Sequence, residues 1–229
     1  MFPGGHCPTV GIGGFLLQGG FGWNSRHWGM ACESVLAVDC VDAEGELLHC
    51  TSTQNEDFFW AARGAGCGFF GVITRFYVEL YDLPAAMASS SYILPLSALG
   101  ELTLAVQAIS HQLPHTLELA FYVGREQGGI PGVTIDFCGD AIASSDTEAR
   151  AALQMMDELP VVKQALRRVT FQSCTLTDLL DRFSALLDNR GRRYEANNMW
   201  TDAPMENLIP HMLRIAEQIP AAPSHLYVL

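Results

Sequence analysis

Lysine is almost missing from this 229-residue sequence: Lys163 stands alone, and 13 basic side chains face 25 acidic ones for a net charge of −12. A dedicated nucleic-acid binder needs a basic face against the phosphates, so nucleic acid is excluded as the expected partner. The densest basic group, Arg190, Arg192 and Arg193, reads as a solvated turn. Charge of either sign is sparse, at 17 % of residues, while 49 % are hydrophobic, and that balance excludes a disordered chain. Long apolar runs are missing too. Residues 1–25 and Leu83–Gly100 are the longest uncharged stretches, and glycine or proline breaks both. Neither offers the ~20 consecutive apolar residues of a membrane span. Met1-Phe2-Pro3-Gly4-Gly5 has no charged start and no continuous apolar core, so no signal peptide is expected there. The 7 cysteines are odd in number and include no C-x-x-C pair, which excludes a zinc knuckle and a secreted disulfide framework. A reduced, soluble setting is the expectation. A chain of this length buries roughly 70 % of its unfolded surface and needs no crosslinks.

Several catalytic and cofactor motifs are absent or misplaced. No G-x-x-x-x-G-K-[ST] and no G-x-S-x-G occurs. Gly66, Gly68 and Gly71 spell a formal G-x-G-x-x-G, but a predicted helix leads in and a predicted strand leads out. That order is the reverse of what places a pyrophosphate on a helix N-terminus, so a Rossmann site is excluded. His111 and His115 have the spacing of two zinc ligands on one helix. Pro114 ends that helix between them and no glutamate follows His111, so no metal site is expected.

The elements that can be read suggest an α+β protein. Ser34–Cys40 and Glu46–Cys50 are predicted strands around the turn Asp42-Ala43-Glu44-Gly45. A short helix capped by Asn55 follows, with Glu56 and Asp57 in its first turn, Arg63 in its last and Gly64 beyond. From Gly71 to Leu80 the pattern alternates: Val72, Thr74, Phe76, Val78 and Leu80 on one face, Ile73, Arg75, Tyr77 and Glu79 on the other. A boundary falls near Leu83-Pro84. Beyond it the order is strand 92–96, helix 98–112, strand 117–124, strand 133–138 and helix 146–158. Strand 163–172, helix 176–187, strand 194–199, helix 206–218 and strand 226–229 follow. Ser145 and Glu148 have capping-box spacing. Leu176, Leu179, Leu180, Phe183, Leu186 and Leu187 trace one apolar stripe, read as core. Helices on an antiparallel sheet are the expected architecture. The last predicted strand reaches Leu229, as in a sheet that continues beyond it.

The chemistry concentrates in Gly5-His6-Cys7-Pro8-Thr9-Val10-Gly11-Ile12-Gly13-Gly14 and Gln18-Gly19-Gly20-Phe21-Gly22. Repeated glycines let a backbone approach a ligand closely and turn its N–H groups toward an anion. A tight-turned β corner would use the same residues. With the blocks WG.ACESV.AVD.VDAEGEL and TQNEDFFWAARGAG…FFGVITRF, the segment resembles the FAD-linked oxidases of the berberine-bridge-enzyme-like group. That group belongs to the vanillyl-alcohol-oxidase, or PCMH-type, flavoprotein superfamily. Three blocks match in order across residues 4–84; residues 85–229 resemble the start of the family's substrate-binding domain more weakly.

The resemblance implies a partial PCMH-type FAD-binding domain over 1–84 and a partial substrate-binding domain over 85–229. It implies FAD as cofactor, with Cys7 in the place of the cysteine that bonds to C6 of the isoalloxazine ring. Thr9, Val10, Gly11, Gly13, Gly14, Gly19, Gly20 and Gly22 would line the flavin and its pyrophosphate through backbone N–H groups. Val72 and Ile73 match the stretch whose backbone lies near the adenine. Trp60 is expected to pack. Phe15 departs from the pattern, since relatives often carry histidine there, and His6 does not stand in for the histidine that bonds the flavin 8α-methyl. The family's phosphate-clamping loop precedes and its catalytic base follows the part matched, so the chain reads as the middle of an oxidase. Tyr122, Tyr194 and Glu195 are the residues weighed as a base, and none is singled out. Implied partners are a small-molecule alcohol, sugar or phenolic substrate. The alternatives are a truncated non-catalytic product or interaction module that does not bind FAD by itself, and complementation by a second chain.

Overall fold

Asp42 to Gly45 turns the chain back on itself in the computed structural model, which describes residues 1–187, 191, 193, 195–197 and 199–228. The Asp42 Oδ1 accepts from the amides of Glu44 (3.0 Å) and Glu46 (2.9 Å), and Gly45 takes φ +85°, a left-handed conformation that glycine adopts without strain. This turn joins β1 (Val35–Val41) to β2 (Leu47–Cys50), and β3 (Val72–Val78) pairs with the other edge of β1 to complete an antiparallel sheet in the order β2-β1-β3. The first of two compact units, Met1–Leu83, is built on this sheet; the second is Pro84–Leu229.

The expected alternation in β3 changes phase partway along the strand. Asp39 lies opposite Arg75 but Cys40 lies opposite Ile73, so Thr74 is an extra residue in a bulge. Ile73, Phe76 and Val78 therefore all pack on the same buried cluster, which includes Leu16, Val35, Val38, Cys40, Cys50 and Phe59. Val72 is left 68 % exposed. The helix α3 (Glu56–Ala61) is two residues shorter than its sequence pattern, and Arg63 lies past its end with its guanidinium 4.4 Å from the Phe59 ring centroid. Asn55 precedes the helix at φ +49°, and its side chain does not cap: Nδ2 donates to the His49 carbonyl at 2.8 Å. Trp60, expected to pack, is 77 % exposed on that helix.

The second unit is α+β, with a five-stranded antiparallel sheet in the order β7-β4-β6-β5-β8. Its strands are β4 (Ala86–Pro95), β5 (Leu117–Arg125), β6 (Val133–Ala143), β7 (Arg167–Ser173) and β8 (His225–Val228). Leu94, Leu119, Phe121, Ile135, Phe137 and Ala141 face helices α4 (Leu99–Ile109), α5 (Asp146–Asp157) and α7 (Met205–Gln218), forming the main core. Gly139 permits that packing, since a Cβ there would stand 2.7 Å from the Met156 Sδ. Ser145 caps α5 by accepting from the Glu148 amide at 3.2 Å, while the Glu148 carboxylate turns to Ser144 instead of completing the box with Ser145. Strands β4 and β6 are longer than expected, pairing without a break from Ala86↔Ala143 to Pro95↔Thr134. Lys163 sits in a 3-10 turn (Pro160–Gln164) before β7 rather than in the strand. Glu195–Asn197 and Met199 are not strand, and the rest of the strand expected at 194–199 lies outside the described residues, as does Leu229.

The opposite face of this sheet is polar. Gln172, Ser89, Asp140 and Glu118 occupy one cross-strand row, and Arg167, Ile93, Asp136 and Tyr122 another. Helix α6 (Leu176–Leu187) covers part of it, placing Arg182 on Asp140 (2.5 Å) and Phe183 edge-on to Tyr122. Asp136 accepts from the Ser91 hydroxyl at 2.8 Å, but burial pushes its carboxyl above the usual carboxylate range, outweighing that bond. The folded state thus holds this proton more tightly than the unfolded chain does. The ionised carboxylate costs stability above the raised folded value, and the cost vanishes as the pH falls below the unfolded one. Asp136→Asn should therefore raise Tm at neutral pH and gain nothing near pH ~3. Thermal melts at both pH values check this, and a variant less stable at neutral pH contradicts it.

Candidate functional site

In the first unit, Cys7 to Gly14 forms an exposed loop that runs into a short helix, α1 (Ile12–Leu17). Cys7 is half-buried, with its Sγ 3.2 Å from the Thr9 Oγ1, and the Val10 amide reaches back to the Cys7 carbonyl at 3.4 Å. Gly11 takes the N-cap position with extended φ −67°, ψ 127°. The amides at the start of a helix have no partner within it, so they are free to meet an acceptor from outside. Gly11 and Gly14 have no atom within 4 Å of where a Cβ would stand, so a ligand can come directly onto their main chain. Val10 (54 % exposed) and Ile12 (55 %) offer apolar surface beside these amides. The arrangement suits a group with both a flat apolar part and an anionic part, held by main-chain dipoles without a basic side chain.

The other predicted residues divide by environment. Gly13 faces inward, where a Cβ would stand 3.8 Å from the Phe76 ring of β3. Gly19, Gly20 and Gly22 are buried. The carbonyls of Gly19 and Gly20 accept from the amides of Cys32 and Ala31, each at 2.8 Å, which fastens this stretch to the chain that follows. A Cβ on Gly20 (φ +75°) would stand 2.6 Å from the Phe15 ring, one on Gly5 3.0 Å from it, and one on Gly22 2.1 Å from the Gly4 carbonyl oxygen. These three glycines make room for Phe15 and for the Gly4 backbone. Sequence spacing does not reveal that clamp, and its one visible signal is a bulky ring set among glycines. Of the pair expected near adenine, Val72 is open and Ile73 belongs to the core. His6 lies against Trp23, ring centroids 4.4 Å apart.

Cysteine environments differ sharply. Cys67 is exposed, Cys7 and Cys174 are half-buried, and Cys32, Cys40, Cys50 and Cys138 are buried. The Cys40 and Cys50 sulfurs lie 3.6 Å apart, and burial together with that neighbour pushes the Cys50 thiol up to about 12. Burial pushes Cys138 and Cys32 up as well. Since the thiolate is the reacting form, an aromatic disulfide reagent at mildly alkaline pH should label Cys67 first, then Cys7 and Cys174. The four buried thiols should react only on unfolding. Rapid labelling of Cys40 or Cys50 in the folded chain, read by peptide mass spectrometry, contradicts this.

Tyr122 is buried, stacked on Tyr227 with centroids 4.5 Å apart, and burial drives its hydroxyl far above the usual tyrosine value. Burial disfavours its phenolate form. Glu195 is exposed, and Tyr194 lies outside the described residues. Helix α4 ends at Ile109, and His115 lies past Pro114, so the two histidines do not share a helix. No described helix is long and apolar enough to cross a membrane.

Residues 1–51 match the family model described as an FAD binding domain. The berberine bridge enzyme-like protein D-2 of Nicotiana tabacum is 32 % identical over 195 residues, covering 82 % of this chain and 33 % of that protein. Among solved structures, Physcomitrella patens BBE-like 1 superposes with TM-score 0.73 at 21 % identity over 98 % of this chain and 51 % of its own, a likeness of fold. The xylooligosaccharide oxidase from Myceliophthora thermophila C1, solved in complex with xylobiose, superposes with TM-score 0.65 at 25 % identity over 80 % of this chain and 37 % of its own. The chain spans about a third or less of the length of the curated relatives it matches. Relatives with these names, the FAD-domain match and the shared fold place it: the chain belongs to the FAD-linked oxidases of the berberine-bridge-enzyme-like group.

Proposed function

We propose that this chain is part of an FAD-dependent oxidoreductase acting on a small-molecule alcohol, sugar or phenol. Residues 1–84 are its share of a PCMH-type FAD-binding domain, and residues 85–229 its share of a substrate-binding domain. The observation that carries this reading is the exposed segment Cys7–Gly14, with open approach to the main chain at Gly11 and Gly14. FAD, when bound, supplies acceptance of a hydride from the substrate and reoxidation by oxygen.

The residues divide the work by position. Amides of Thr9, Gly11, Gly13 and Gly14 hold the anionic part, while Val10, whose own amide meets the Cys7 carbonyl, and Ile12 offer apolar surface to a flat ring. Gly19, Gly20 and Gly22 shape the segment from behind, and the backbone of Val72 and Ile73 serves the far end of the cofactor. Phe15, where relatives often carry histidine, fills its position with an apolar ring and contributes no hydrogen bond. Cys7 forms the tether. Its sulfur would hold the isoalloxazine ring covalently at C6.

Replacing Cys7 by alanine tests the tether. Flavin carried by the wild-type chain should survive acid precipitation, while flavin carried by Cys7→Ala should be extracted completely. Acid-stable flavin in the variant would refute the role of Cys7.

A further inference from the structure

The polar face of the five-stranded sheet holds an open pocket of about 250 Å³ that the reading above does not use. Ser89 and Ser91 of β4, Asp136 of β6, Arg167 and Gln172 of β7, and Arg182 of α6 supply its polar lining, with Ile93 and Val169 as apolar wall. Its volume is below the range of ~300–1,000 Å³ typical of drug-sized ligands, so it fits a single small ring or a short chain.

The hydrogen-bonding capacity left over in the pocket defines the ligand. Ser91 donates its hydroxyl proton to Asp136 (2.8 Å) and Ser89 donates its own to Asp140 (2.7 Å), so both serine oxygens keep only acceptor capacity. Asp136 adds further carboxylate lone pairs. Donors stand opposite: the Gln172 amide, and the guanidiniums of Arg182 and Arg167. The charge of Arg182 is already met by Asp140. Arg167 donates from Nη1 to the Gly128 carbonyl at 3.2 Å and forms no ion pair among the described residues. A hydroxyl group both donates and accepts, so a polyol satisfies the mixed floor, and a carboxylate satisfies the planar fork of Arg167. Arg167 and Asp136 flank Ile93 in one cross-strand row, two strand spacings or roughly 9–10 Å apart across the sheet. With both side chains lining the pocket, a single six-carbon molecule reaches both.

We propose that this pocket is a binding site for a polyhydroxylated carboxylate of sugar-acid size, with its hydroxyl groups on Asp136, Ser89 and Ser91 and its carboxylate on Arg167. The site is built within the second unit alone and does not depend on flavin.

Calorimetric titration of the full chain with D-glucuronate, D-glucose and D-glucosamine tests it. Glucuronate should bind saturably and about tenfold more tightly than glucose, the size expected for one charged hydrogen-bonding contact. Arg167→Gln, a change at an exposed side chain, should remove that preference and bring glucuronate down to the affinity of glucose, while Arg167→Lys keeps part of it. Asp136→Asn should weaken both sugars about tenfold. Absence of saturable glucuronate binding, tighter binding of glucosamine, or a preference that survives Arg167→Gln each overturns the proposal. Flavin content, read from absorbance in the same samples, separates the two sites. Loss of glucuronate binding with flavin retained counts against this pocket alone, and glucuronate binding by a colourless chain counts against the flavin reading alone.

Discussion

Replacing Gly22 by alanine is expected to unfold or severely weaken the first unit, whereas the same replacement at Gly11 leaves it folded. At Gly22 a Cβ would stand 2.1 Å from the Gly4 carbonyl oxygen, 2.6 Å from its carbon and 3.0 Å from the Pro3 carbonyl oxygen. All three are main-chain atoms, so no side chain can swing away to relieve the clash. The contact also has a purpose: the Trp23 amide donates to that same Gly4 carbonyl at 3.1 Å, and the Gly22 amide donates to the Ser25 hydroxyl at 2.8 Å. Moving the two chain segments apart to admit a methyl group breaks the Trp23–Gly4 bond. Overpacking a rigid contact costs about 1–3 kcal/mol, and the lost hydrogen bond raises the total toward ~4 kcal/mol, a large share of a small unit's stability. At Gly11 nothing lies within 4 Å and φ is −67°, so alanine should cost less than about 1 kcal/mol. Urea titrations of the two variants check the contrast. Similar midpoints for both would show that the Gly22–Gly4 contact is not tight in solution.

Truncation of Arg182 should strongly destabilise the second unit. Asp140 is 5 % exposed, in the middle of β6, and its carboxylate is held by the Ser89 hydroxyl on one oxygen and the Arg182 guanidinium on the other. Removing the guanidinium leaves a buried charge with one neutral donor. Breaking a fully buried pair costs about 3–5 kcal/mol; the Arg182 side chain is 37 % exposed, so about 2–4 kcal/mol is expected for Arg182→Ala. The second change decides the mechanism. Asp140→Asn on the Arg182→Ala background removes the stranded charge and should recover more than half of the loss, a coupling that independent sites do not show. Additive losses in a double-mutant cycle would mean that Arg182 stabilises by packing its stem on the sheet rather than by meeting Asp140.

The same residues explain which parts of the fold are legible in the sequence. The hairpin around Asp42–Gly45 and the helix over 176–187 follow from local chemistry: an aspartate and a glycine at turn positions, and an apolar stripe at helical spacing. Strands β4 and β6 are only half legible because Ser89 and Asp140 lie on a polar face and are nonetheless buried. The partner that makes burial tolerable, Arg182, is 42 residues further on. In β3 the alternation is correct up to a single extra residue, Thr74, whose bulge moves Ile73 to the core face; side-chain period alone cannot register a bulge. Trp60 has the composition of a packing residue and stands exposed. The glycine segment is legible as a site through its resemblance to a family. The division of its glycines into open ones (Gly11 and Gly14) and packing ones (Gly5, Gly20 and Gly22) depends on where Phe15 and Gly4 come to rest. The pocket of the second unit is not legible at all, since its lining comes from three strands, a helix and the turn at Gly128.

Flavin binding is the claim on which the functional reading stands. The direct measurement is the absorbance spectrum of the purified full chain, incubated with FAD and freed of excess, before and after acid precipitation. Flavin bands that stay with the protein and persist in the redissolved pellet are the result expected from the open main chain at Cys7–Gly14 and a tether through Cys7. A protein that remains colourless after incubation with excess FAD would contradict it.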